Sequence, residues 1–136
     1  MTGVQTCALP ISAALAGIDF VIEEEANAIL TAKAPRPGDL VRVSQALGLE
    51  LPPQLGEIRY IGTCPFRGTT AHHLIVMTPE GKATLLLLPE MAVESRGSAS
   101  SRGLRAFVKP AGRGSATVIA ENTRGLERIE GMVWRS

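Results

Sequence analysis

Four consecutive leucines, Leu85, Leu86, Leu87 and Leu88, follow Gly81-Lys-Ala-Thr84 and stop at Pro89. A strand turns successive side chains to opposite faces, so a strand that is apolar at every position must be covered on both sides. This run therefore predicts a central, doubly buried strand. The compact turn Thr78-Pro-Glu-Gly-Lys82, with Gly81 free to take a positive φ, joins it in a hairpin to the β-branched, apolar residues 73–77. Residues 57–63 alternate around Ile58, Tyr60 and Ile61 and predict a third strand. Residues 104–109 and 115–120 predict a further hairpin across Pro110-Ala-Gly-Arg-Gly114. Residues 90–103, rich in Ser, Gly and Arg, read as a mobile loop.

The first part of the chain carries a different period. Val21, Ile22, Ala26, Ile29 and Leu30 recur at helical spacing, with Glu23, Glu24, Glu25 and Asn27 largely on the other side, which predicts a helix over residues 19–33. Ala34-Pro-Arg-Pro-Gly38 breaks it. Asp39 is placed to cap a short second helix striped by Leu40, Val43 and Leu47 and ended by Gly48, and Pro52-Pro53 closes the helical half. Leu126, Ile129, Val133 and Trp134 stripe a terminal helix. Helices outside a contiguous strand meander imply an α+β fold: an antiparallel sheet of about four to five strands, two N-terminal helices and a C-terminal helix.

Met1-Thr-Gly-Val-Gln-Thr-Cys-Ala-Leu-Pro-Ile-Ser12 reads, codon for codon, as a translated sequencing adapter. On that reading residues 1–12 are an artefact expected to make few contacts, and residues 13–136 are one domain of a longer chain whose upstream part is missing. The remaining 124 of 136 residues, drawn from a chain 45% apolar and 20% charged, suit one core. Residues 12–22 are apolar apart from Ser12 and Asp19, far short of the ~20 residues that cross a bilayer, and could be the stump of a span. With Cys7 in the suspect segment, Cys64 stands alone and no internal disulfide can form.

The chemistry-bearing residues converge on Gly62-Thr-Cys-Pro-Phe-Arg-Gly-Thr-Thr-Ala-His-His73, which links the first two strands. A hairpin there would bring Cys64 and the His72-His73 pair to one end of the sheet, and a thiolate beside an imidazolium, with Arg67 adding to the field, could serve as a redox sensor or nucleophile. The competing reading makes Cys64 a small buried hydrophobe, with one histidine packed inward and the other facing water. The spacing matches no familiar zinc or CxxC pattern, and no cofactor is called for.

Fourteen Lys and Arg against thirteen Asp and Glu leave a formal charge of +1, which predicts no polyanionic partner. Glu23-Glu24-Glu25 and the series Arg96, Arg102, Arg105, Lys109 and Arg113 read as solvated faces. A nucleic-acid surface would interleave aromatics, and the chain has three Phe, one Tyr and one Trp. Gly112-Arg-Gly114 leads into a strand where a phosphate loop would lead into a helix. GxSxG, HExxH, Walker and paired-carboxylate motifs are lacking, so a hydrolase or nucleotidase has no residues to rest on.

The string Ile58-Arg-Tyr-Ile-Gly-Thr-Cys-Pro-Phe-Arg-Gly68, with His72-His73-Leu-Ile-Val-Met77 and Gly81-Lys-Ala-Thr-Leu-Leu-Leu-Leu-Pro89, resembles domain-of-unknown-function family 3379 of proteobacteria, over most of residues 19–134. No activity is established for that family. The resemblance implies the C-terminal, periplasmic domain of an inner-membrane protein whose organisation is similar to that of transmembrane anti-sigma factors. The expected function is a non-enzymatic interaction or sensory domain whose partner is a protein, without nucleic acid, and whose tie to the membrane is a missing upstream span. The alternatives are a thiol- or metal-responsive sensor or enzyme using Cys64 with His72 or His73, and a structural envelope module.

Overall fold

In the computed structural model of the chain, which describes residues 6–30 and 35–134, the leucine run lies at the middle of a six-stranded antiparallel sheet. In chain order the elements are β1 (Thr6–Ala8), α1 (Pro10–Glu23), α2 (Glu25–Leu30), α3 (Asp39–Leu47), a 3-10 turn (Pro53–Leu55), β2 (Glu57–Phe66), β3 (Thr69–Thr78), β4 (Gly81–Leu88), β5 (Met91–Val93), β6 (Gly97–Ser101), β7 (Leu104–Ala111), β8 (Gly114–Ala120) and α4 (Thr123–Val133). The sheet order β2-β3-β4-β8-β7-β6 is two hairpin meanders joined along β4 and β8, with Leu85 opposite Val118 and Leu86 opposite Thr117.

Alternation along β4 divides the core. Leu85 and Leu87 share one apolar cluster with Val118, Phe107, Val43 and Leu47 of α3, and Leu126 and Ile129 of α4. Leu86 and Leu88 share another with Ile18 and Phe20 of α1, Ala106 and Ile119. Each of the four leucines is at most 1% exposed, and burying a leucine side chain is worth roughly 1.5–3 kcal/mol, so covering both faces is where this strand obtains its stability.

The α+β architecture agrees with expectation; several details differ. The sheet has six strands because the supposed loop at residues 90–103 contains β6; the same segment holds β5, which pairs with β1 in a separate two-stranded sheet. Its Ser and Gly content lowers strand propensity, but β7 offers a full edge to pair with and α1 packs over the result, so context overrides composition. The first helix begins at Pro10 and not near residue 19: proline suits a first helical turn, and Ala13, Ala14, Gly17 and Ile18 form its buried stripe. The helix stops at Glu23 and α2 starts at Glu25. Residues 31–33 of the expected helix lie outside the described residues. Asp39 is the first residue of α3 and not its cap; its carboxylate accepts a hydrogen bond from the Arg36 amide at 2.7 Å. Among the described residues no helix is long and apolar enough to cross a membrane.

Of the segment 1–12, the described residues 6–12 differ from the expectation of few contacts. Thr6–Ala8 pair in parallel with Met91–Val93, and Pro10 to Ser12 form the start of α1. The short strand β5 has an open side, and an extended segment leading into α1 passes close enough to pair with it.

Candidate functional site

The segment that holds Cys64 and the two histidines is the turn of a long hairpin. Arg67 and Gly68 both take positive φ, 50° and 80°, the geometry of a two-residue turn that matches strand twist. The strands therefore continue through Cys64-Pro65-Phe66 and resume at Thr69, and the register puts Thr63 opposite His72, Gly62 opposite His73 and Cys64 opposite Ala71. Opposed residues share a face and successive ones alternate. His73 consequently shares the α1 face with Cys64, while His72 is on the other face.

None of the four expected site residues forms a thiolate–imidazolium pair. Cys64 is buried in the cluster of Phe20, Phe66 and Ala71. Burial, with Glu24 adding negative charge, pushes its thiol up to about 11, away from the reactive range. Burial lowers the half-buried His72 imidazole. The exposed Arg67 guanidinium lies 3.5 Å from the Ser12 carbonyl oxygen.

The polar centre of the molecule is one element away. Glu25, the first residue of α2, is 2% exposed and its carboxylate takes three donors: Nε2 of His73 at 2.8 Å and Oγ1 of Thr84 at 2.6 Å on Oε1, and Nζ of Lys82 at 2.7 Å on Oε2. Burial alone would raise this carboxyl, but the bonds from His73, Lys82 and Thr84 outweigh it and hold the group below the ordinary 4.5. Glu25 is thus a buried anion joining α2 to β3 and β4.

Around His73 the site is aromatic and sealed. The Phe20 ring meets its imidazole edge-on at 5.0 Å, and the Tyr60 ring lies at 4.8 Å. Among the described residues Nδ1 of His73 is buried without a hydrogen-bond partner. Tyr60 can lie there because residue 62 is a glycine: a Cβ at Gly62 would sit 2.2 Å from the Tyr60 hydroxyl. Gly62→Ala should displace that ring and lower the unfolding free energy by about 1–3 kcal/mol in urea melts, the usual cost of overpacking; an unchanged melt would refute the tight seat. Held by Glu25 and enclosed by rings, the fully buried His73 ties β3 to α2.

The surface charges are more engaged than plain solvation. Arg102 bonds Asp19 and Glu23, and Arg96 grips Glu130 through two bonds at 2.9 and 3.0 Å while lying 5.1 Å from the Phe107 ring centre. Glu23 and Glu24 are exposed as expected, whereas Glu25 corrects the reading of all three as a solvated face. A groove of about 290 Å³ runs between the β6–β7 end of the sheet and α4, and includes Arg96, Arg105, Phe107 and Glu127 in its lining. Among the described residues no group of three or more His, Cys, Asp and Glu side chains is arranged to hold a metal ion.

No protein-family model, curated protein or solved structure matches the chain. The family resemblance rests on the quoted residues alone. Sequence reasoning passed over Glu25, Tyr60, Lys82 and Thr84. One signal was available: Glu25 falls seven residues after Ile18 and four before Ile29, on the apolar stripe and not opposite it.

Proposed function

We propose that the chain is a non-enzymatic protein-interaction or sensory domain, the periplasmic part of a membrane-anchored, anti-sigma-like regulator. One observation carries the non-catalytic part of this reading: the residues that could do chemistry are engaged with one another inside the fold, His73 on Glu25 and Cys64 among phenylalanines. Catalysis or thiol sensing needs an accessible group in its reactive protonation state. The membrane anchor and its sidedness follow from the family resemblance.

Iodoacetamide labelling of Cys64 in the native chain, followed against pH, tests the reading. The expected result is slow labelling with no thiolate step below the ordinary value of 9.0, unchanged in His72→Ala and His73→Gln. Fast labelling with a step near neutral pH that moves up when either histidine is replaced would instead establish the thiol sensor.

A further inference from the structure

The two edges of the sheet are unlike. β2 carries Pro65, a register shift between Ile58 and Tyr60, and the exposed Arg59, all devices that hinder pairing with another strand. β6 is Gly97-Ser-Ala-Ser-Ser101, without proline, charge or register shift, and among the described residues no strand pairs with its outer side. One edge is blunted and the other is open.

The open edge borders the groove beside α4. Ser98 lies opposite Phe107 and Ser100 opposite Arg105, all four lining that groove, with Leu126 and Glu127 on the helix side. The Arg105 side chain is exposed and, among the described residues, its guanidinium makes no hydrogen bond or ion pair. Neighbouring strands lie ~4.8 Å apart, so a strand added outside β6 would stand about two spacings from β7, within reach of an arginine extending over the short Ser100. A side chain beside Ser98 would meet the space over the Phe107–Leu126 wall.

We propose that β6 and this groove receive an extended segment of a partner protein by strand addition, with an acidic side chain on Arg105 and, two residues away on the same face, an apolar one over Ser98. Backbone pairing along β6 supplies most of the contact, and the Arg105 carboxylate bond supplies selectivity. This rests on the interaction-domain reading and names the chemistry of its partner.

Fluorescence anisotropy with a labelled octapeptide of alternating valine and threonine, carrying one glutamate two residues from a valine, tests it on the full chain. Saturable binding is expected, at least about fivefold tighter than for the glutamine and lysine versions, as a charge-assisted bond implies. Arg105→Ala, an exposed change that spares the core, should erase that difference, and N-methylating alternate peptide amides should abolish binding without altering the protein. Absence of saturable binding, equal affinity for the three peptides, or an unchanged preference in Arg105→Ala overturns the proposal. Dimerisation through β6, seen by sedimentation, would also overturn it by making a second copy the occupant, yet leave an interaction domain standing. A reactive Cys64 would sink the interaction reading instead, so the two failures are distinguishable.

Discussion

Glu25→Ala should lower the free energy of unfolding by about 2–5 kcal/mol at neutral pH, at about 1–3 kcal/mol for each of two buried partners left without an acceptor. The truncation leaves Nε2 of His73 and the Thr84 hydroxyl without their acceptor inside the fold and frees the start of α2 from the sheet. Lys82 suffers least, because its ammonium is about half exposed and can return to water. Glu25→Gln, which keeps an acceptor oxygen and loses the charge, should cost less than alanine. The Glu25 carboxyl is depressed in the folded state, so its contribution is complete above the ordinary 4.5 and is lost as pH falls through the lower folded value. Urea melts at neutral pH measure the loss; a change below about 0.5 kcal/mol would mean that the carboxylate is not holding α2.

Leu86→Ala and Leu85→Ala should each cost about 2–5 kcal/mol, from lost burial and the cavity left behind. The two neighbours belong to different apolar clusters, Leu86 with Ile18 and Ile119, Leu85 with Val118 and Phe107. A sheet covered on one face only would make one of these substitutions expensive and the other cheap. Comparable large losses in denaturant melts would verify helices on both faces. A loss below about 0.5 kcal/mol at either position would contradict the central placement of β4.

The leucine run made the centre of the sheet legible from sequence, because an all-apolar strand has one physical solution. The hairpin of β7 and β8, the αL glycine ending α3 at Gly48, and the stripe of α4 were equally readable from local pattern. β6 was hidden because Ser and Gly signal a loop locally, whereas its pairing with β7 and packing under α1 are long-range. Helix α1 begins earlier than the pattern predicts because residues 12–22 are apolar at nearly every position and offer no polar face to mark a helical period.

The candidate site shows the same division. Sequence placed Cys64 and His73 near each other, and strand alternation puts them on one face. It did not reveal that His73 already has a partner, since Glu25 is forty-eight residues away and looked like one of three solvated acids. Tyr60 was read as a strand residue; its role beside His73 depends on the space left by Gly62, which only the packed hairpin displays.

The central claim is that Glu25 is a closed, ionised brace and not a group available for proton transfer. Carbon-13 NMR titration of its side-chain carboxyl in the folded chain tests this most directly. The account predicts a midpoint below 4.5, moving upward when Lys82 is replaced by methionine. A midpoint above 4.5 that does not respond to Lys82→Met would contradict it, because burial would then outweigh whatever its partners contribute.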